Sequence, residues 1–226
     1  MSNLDISHSI AQRIAIIRQQ IPASIRLIAV TKQVSVEAMQ AAYEAGIRDF
    51  GESKIQEAVV KQEKFKDFED ITWHLIGHLQ SNKASKALAQ FQWIHSLHSL
   101  KLARRLNKLA EQQSLKPKIC LQVKLLPDPD KYGWSVSQLM LDFPQLNQYK
   151  HLDICGLMTI PPQGLTAEET LSMFQHAREL ADKIQQQFGL PLPHLSMGMS
   201  ADYLLAVQAG ATTIRLGRVL FGERSM

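Results

Sequence analysis

Cysteine is scarce in this sequence of 226 residues: there are two, Cys120 and Cys155, each inside an apolar run. That excludes a disulfide framework and fits small core thiols in a reducing compartment. No apolar run approaches the ~18 residues of a spanning helix. The polar, helix-periodic start, residues 1–20, has no apolar stretch behind a basic head, so neither membrane nor leader is expected and the location expected is cytoplasmic. Several motifs are missing as well. There is no G-x-S-x-G elbow, no P-loop and no C-x-x-C, which removes the common hydrolase, nucleotide and zinc-site chemistries. Neither sign of charge dominates: 25 Lys+Arg against 21 Asp+Glu leave a net +4. The basic residues Lys101, Arg104, Arg105 and Lys108 share a helical pattern with Leu102, Leu106 and Leu109, so they read as a solvated face. Without interleaved aromatics or a reading module they do not make a nucleic-acid surface.

What is present is an ordinary globular composition, 45% hydrophobic and 20% charged, in a chain long enough to bury a large core. An amphipathic helix marked by Ile6, Ile10, Ile14 and Ile17 opens it. After that, eight β-rich runs alternate with helical patterns: 26–32, 49–53, 71–77, 92–97, 118–124, 152–160, 194–199 and 213–217. The clearest helical patterns are 36–44, closed by Gly46, and 167–188, closed by Gly189 with a proline following. Strand and helix in alternation imply parallel pairing. Eight such units predict an α/β fold, a single-domain (β/α)8 barrel spanning 1–226 with an extra N-terminal helix, over an open doubly wound sheet. The open sheet would carry a G-x-G-x-x-G turn after its first strand, and Thr31-Lys32-Gln33 stands there instead. No linker divides the chain, and the last strand ends nine residues before the C-terminus, so no appended domain is expected. No exposed apolar seam is evident, which makes a monomer the expectation.

In such a barrel chemistry sits where strands run into loops. Lys32 ends the first strand: either a solvated lysine, or an amine in an apolar mouth kept nucleophilic by desolvation. Strand alternation turns Arg215 away from Ile214 and Leu216 into the mouth, where it needs an anionic partner, either a ligand or a structural carboxylate such as Glu52. Gly217 allows close backbone approach at the position where barrels bind phosphate. Met199 and Ser200 lie in a small-residue turn opening a helix, with Ser200 a candidate N-cap or phosphate donor. The pairs His74/His78 and His95/His98 have metal-like spacing but no further ligand on a helix face, so they read as satisfied histidines.

The segments Ala-Val-Thr-Lys (29–32), Phe-Gly-Glu-Ser-x-x-Gln-Glu (50–57), 73–83, Gly-Leu-Met-Thr-Ile (156–160), 194–202 and 214–224, in this order, resemble the pyridoxal-phosphate homeostasis protein family (YggS/PROSC-like). The resemblance covers residues 26–224. It implies a single-domain barrel similar to the N-terminal domain of alanine racemase, a fold-type III barrel that binds pyridoxal 5′-phosphate (PLP) and has no established enzymatic activity. It makes Lys32 the Schiff-base lysine, sets the phosphate against Ser200 and the backbone N–H groups of Gly217 and Arg218, and puts Arg215 on the pyridine nitrogen. Ser53 stands where the family commonly has asparagine and Arg218 where it has threonine. Met199 is carried with the turn. The function implied is intracellular buffering of PLP or its delivery to apo PLP enzymes; the alternative is an amino-acid racemase. Racemisation needs a second acid/base opposite the lysine. Only Tyr132, in the loop 125–134, is a candidate. That loop is either a lid carrying Lys131 as a secondary PLP-contacting amine or a solvated connection.

Overall fold

The computed structural model describes residues 3–222, with side chains from residue 7 onward, so Ile6's side chain and residues 223 and 224 of the last motif lie outside the described residues. Helix α1 (Asn3–Gln20) leads into β1 (Arg26–Val30), α2 (Val36–Glu44), β2 (Asp49–Glu52), α3 (Ile55–Lys64), β3 (Thr72–Leu75), α4 (Ala84–Gln90), β4 (Trp93–Leu97), α5 (Leu100–Gln112) and β5 (Lys118–Lys124). A two-residue strand, β6 (Trp134–Ser135), precedes α6 (Val136–Leu146), β7 (Asp153–Met158), α7 (Ala167–Phe188), β8 (His194–Ser196), α8 (Tyr203–Gln208), β9 (Thr213–Leu216) and α9 (Arg218–Phe221).

The strands run in the order β4-β3-β2-β1-β9-β8-β7-β5, and β4 pairs with β5, so eight parallel strands close into a barrel. All eight expected strands are present and most stop one or two residues early. At β1 the ladder ends because the Thr31 carbonyl accepts from the Val34 N–H at 2.9 Å, a turn that puts Gln33 at φ 58°. The short β6 was not expected: Trp134 pairs with Val123 while its indole N–H donates to Asp142 at 2.8 Å. Two residues are too few for alternation to show.

Local signals act as their chemistry requires. Thr166 caps α7 by accepting from the Glu169 N–H, and Glu169 reaches back to the Thr166 N–H. Gly189 closes that helix at φ 72°, where a side chain would be strained.

Alternation along each strand sorts side chains between two apolar regions. Leu27, Ala29, Ile94, Ile119, Leu121 and Leu157 face the helices in the main core. Trp93, Cys120 and Met158, one residue out of step with them, form a small cluster inside the barrel together with Cys155, which joins it where the register of β5 and β7 shifts. Both cysteines are free and buried, as expected, and burial pushes the Cys155 thiol up to about 11. Among the described residues no helix is long and apolar enough to cross a membrane.

Candidate functional site

The seven residues singled out above, Lys32, Ser53, Met199, Ser200, Arg215, Gly217 and Arg218, lie on or just past β1, β2, β8 and β9, which are contiguous in the order β2-β1-β9-β8. The fold therefore gathers them on one half of the C-terminal rim. Lys32 and Ser53 are half-buried there. Gly77, at the exit of β3, has no room for a Cβ against the Ser53 backbone, so the exits of β2 and β3 pack tightly beside the site.

Lys32 is held through its neighbours. The Lys61 ammonium, on α3 and 5% exposed, donates to the Thr31 carbonyl, to Glu52 at 2.8 Å and to Glu57 at 2.7 Å. Glu57 in turn accepts the Gln33 N–H, and the Thr31 hydroxyl donates to Glu52 at 2.6 Å. One ionic cluster behind the barrel wall thus grips the peptide groups on both sides of Lys32. Burial pushes the Glu52 carboxyl up against the pull of Lys61 and Thr31, and its Oε2 has no partner among the described residues. Burial also acts to raise Glu57, but Lys61 and the Gln33 N–H bring it below its ordinary value.

Arg215 is 4% exposed and projects inside the barrel, as the alternation required. Its guanidinium donates to the Ser196 hydroxyl at 2.8 Å and to the Thr159 carbonyl at 3.1 Å. Glu52 is not its partner: that carboxylate faces the helices and belongs to Lys61. Burial lowers Arg215 to about 10, with Asp202 acting in the opposite sense.

Ser200 is not the N-cap of α8, a correction to the expectation; Asp202 occupies that position. The Met199 N–H donates to the Asp202 carboxylate at 2.6 Å, which folds the turn, and the Ser200 hydroxyl faces α9 instead, accepting the Val219 N–H at 3.4 Å. Gly217 is the N-cap of α9, its carbonyl accepting from Leu220 and Phe221. The first N–H groups of that helix have no carbonyl within it to bond. Arg218 is exposed, so what it offers the rim is its backbone.

The loop 125–134, for which the sequence left a lid or a solvated connection open, is pinned against the rim by side-chain contacts, with Tyr132 itself 54% exposed. Lys131 donates to Asp128 at 2.8 Å and to the Pro161 carbonyl at 2.7 Å, while the Tyr132 ring stacks on His78 with centroids 3.6 Å apart. Inside the barrel, His74 and His95 lie within β3 and β4, not at strand ends, and they are satisfied by each other. His74 Nδ1 is 2.9 Å from His95 Nε2, His74 Nε2 is 2.9 Å from Asp49, and His95 Nδ1 is 2.8 Å from the Ser196 hydroxyl. Burial lowers both, His95 well below 6.5. Among the described residues no group of three or more His, Cys, Asp or Glu is placed to hold a metal.

The family model for the N-terminal domain of alanine racemase matches residues 7–225. The pyridoxal phosphate homeostasis protein of Synechocystis sp. is 52% identical over 204 residues, covering 90% of this chain and 94% of the relative. The chain belongs to the pyridoxal phosphate homeostasis protein family. A second member, from Aquifex aeolicus, is 36% identical over 88% of this chain and 87% of its own. PipY of Synechococcus elongatus, solved with PLP bound, superposes with a TM-score of 0.91 at 52% identity, covering 94% of this chain and all of PipY. Alanine racemase of Clostridium difficile, at 13% identity and a TM-score of 0.78, shares the fold. Within the homeostasis family frame, the two departures noted in the sequence fall differently: Ser53 is half-buried against the β3 exit, whereas the Arg218 side chain points to solvent.

Proposed function

We propose that this chain binds PLP at the β2-β1-β9-β8 half of the rim, and buffers or delivers it to apo PLP enzymes in the cytoplasm, as a monomer and without turnover. The observation that carries this is the convergence of three complementary groups on four adjacent strand ends: an amine, a buried guanidinium and a helix start facing a hydroxyl. PLP needs all three. Its phosphate dianion suits Ser200 and the first N–H groups of α9, and the long Ser200–Val219 contact is one an anion would replace at little cost. Lys32 supplies the amine for the aldehyde. Arg215, with donors beyond the two given to Ser196 and Thr159, reaches the ring nitrogen. Ser53 and Met199 line the cofactor's flanks.

When bound, PLP supplies an electron sink and a reactive carbonyl. This chain's residues restrain the first. A permanently charged guanidinium at the ring nitrogen disfavours protonation there, which weakens the sink relative to an aspartate partner. The one tyrosine the sequence offers as an opposing acid/base, Tyr132, has its ring stacked on His78.

The test is to titrate PLP into wild type and Lys32→Ala, reduce with borohydride, and follow α-proton exchange of L- and D-alanine in deuterated water. We expect covalent retention on the Lys32 peptide, none in the variant, and no enzyme-level exchange. Exchange at an enzyme's rate, lost in Lys32→Ala, would replace this reading with the racemase.

A further inference from the structure

The four hydrogen bonds inside the barrel join Arg215, Ser196, His95, His74 and Asp49 into one chain that crosses from β9 to β2. Its two ends are chemically fixed. A guanidinium only donates and a carboxylate only accepts. Between them each neutral imidazole has one donor and one acceptor to give and the serine hydroxyl one donor and two lone pairs, so with both rings neutral only one pattern satisfies every link. Arg215 donates to Ser196. The Ser196 hydroxyl donates to His95 Nδ1, His95 Nε2–H donates to His74 Nδ1, and His74 Nε2–H donates to Asp49. The opposite direction would set a bare His74 nitrogen against the Asp49 carboxylate, two acceptors 2.9 Å apart.

We propose that Asp49, at the start of β2, is a positioning residue for Arg215: it sets the tautomers of both histidines and, through them, turns the Ser196 hydroxyl so that its lone pairs receive the guanidinium. The influence on PLP rests on the assignment of Arg215 to the ring nitrogen; the direction of the chain does not. Asp49 is part-exposed and is also 3.7 Å from Arg26, so the chain begins near solvent and ends in the buried interior. Neutral histidines are what allow it. Burial holds both rings in that form, and a second charge beside Arg215 would be costly. The signal in the sequence was spread over Asp49, His74, His95, Ser196 and Arg215, which no local spacing connects.

The tautomers are directly measurable. Two-bond proton–nitrogen correlation NMR on the apo protein at neutral pH reads which imidazole nitrogen carries hydrogen. We expect Nε2–H and bare Nδ1 at both His74 and His95. In Asp49→Ala, with no fixed acceptor, the His95 nitrogens should move toward averaged positions, and in Asp49→Asn, whose side-chain oxygen still accepts, they should return. With PLP bound, Asp49→Ala should shift the visible band and weaken PLP about threefold, the scale of one neutral hydrogen bond misdirected, with Asp49→Asn restoring both. A wild-type His95 protonated at Nδ1, a doubly protonated His74, or His95 resonances unmoved in Asp49→Ala would each overturn the proposal. Arg215→Gln separates the two ideas. If that variant leaves the bound PLP band unmoved, the ring-nitrogen assignment fails while the tautomer result still stands. If Arg215→Gln moves the band and Asp49→Ala does not, the coupling fails.

Discussion

Two buried polar systems flank the wall formed by β1 and β2, and they are built on opposite principles. Outside the wall, toward α3, Lys61, Glu52 and Glu57 form an ionic cluster whose members are close in sequence and whose targets are backbone groups beside Lys32. Inside, His74, His95 and Ser196 carry no net charge and link Asp49 to Arg215 through a chain whose five members sit on five different strands. The outer cluster uses charge because a charged donor grips a carbonyl and two carboxylates at once, and an opposite charge offsets much of the cost of burying an ion. The inner chain avoids charge because it already ends on a buried guanidinium. One system fixes where the amine sits; the other fixes how the arginine is presented.

The comparison breaks most visibly at Lys61. Lys61→Met removes the cation and leaves the Glu52 carboxylate buried without its charged partner, while the Thr31 carbonyl keeps only the Val34 N–H, so stability should drop by about 3–5 kcal/mol. The double variant Lys61→Met/Glu52→Gln should recover most of that, since a neutral amide keeps the Thr31 hydroxyl partnered without stranding a charge. Urea unfolding measures both. A single-variant loss under about 1 kcal/mol would mean that water reaches the cluster and that it is not the dry clasp the burial of Lys61 and Glu52 indicates.

The neutral chain should announce itself by pH. Folded His74 and His95 resist protonation, held below 6.5 by burial, so the unfolded chain takes up their protons first. Their contribution is present above 6.5 and is lost as pH falls from there toward the depressed folded values. Each histidine steepens the acid slope by up to about 1.4 kcal/mol per pH unit. His95→Gln should remove one such share between pH 6.5 and 5.5, whatever it does to stability at pH 7. An unchanged slope would mean that His95 is already protonated in the native state.

Much of this was legible in sequence, and the boundary is instructive. The eight strands showed because each is a short apolar or alternating run between turn signals, and the rim residues followed because parallel barrels place strand ends together. Arg215 was read as facing inward from Ile214 and Leu216 alone. Lys61 was not legible: Glu57 and Lys61 at i and i+4 look like any surface helix pair, and only the outward face of β1 and β2 buries them. The histidines were legible as satisfied but not as connected, because Ser196 lies 101 residues from His95. Of the two roles read for Ser200, the cap of the nearer helix is the one that fails, because sequence proximity favours α8 whereas barrel closure brings α9 to it.

Glu57→Gln gives the smallest expected change and the finest distinction between holding the fold and holding the amine. The glutamine carbonyl still accepts the Gln33 N–H, and Lys61 keeps Glu52 and the Thr31 carbonyl, so stability near pH 7 should fall by only about 0.5–1 kcal/mol. Because Glu57 ionises below 4.5 in the folded protein, its contribution is present above 4.5 and is lost as pH falls through the lowered folded value. The variant should therefore flatten the stability curve below pH 4.5 and leave the histidine window between 6.5 and 5.5 untouched. Gln33 sits at φ 58°, a conformation that non-glycine residues adopt only when their surroundings impose it, and a weaker grip on its N–H loosens the turn beside Lys32. PLP retention in dialysis should then suffer more than stability does. Equal losses in the two would mean that Glu57 serves the fold alone, and the clasp on the Lys32 turn would reduce to Lys61 and the Thr31 carbonyl.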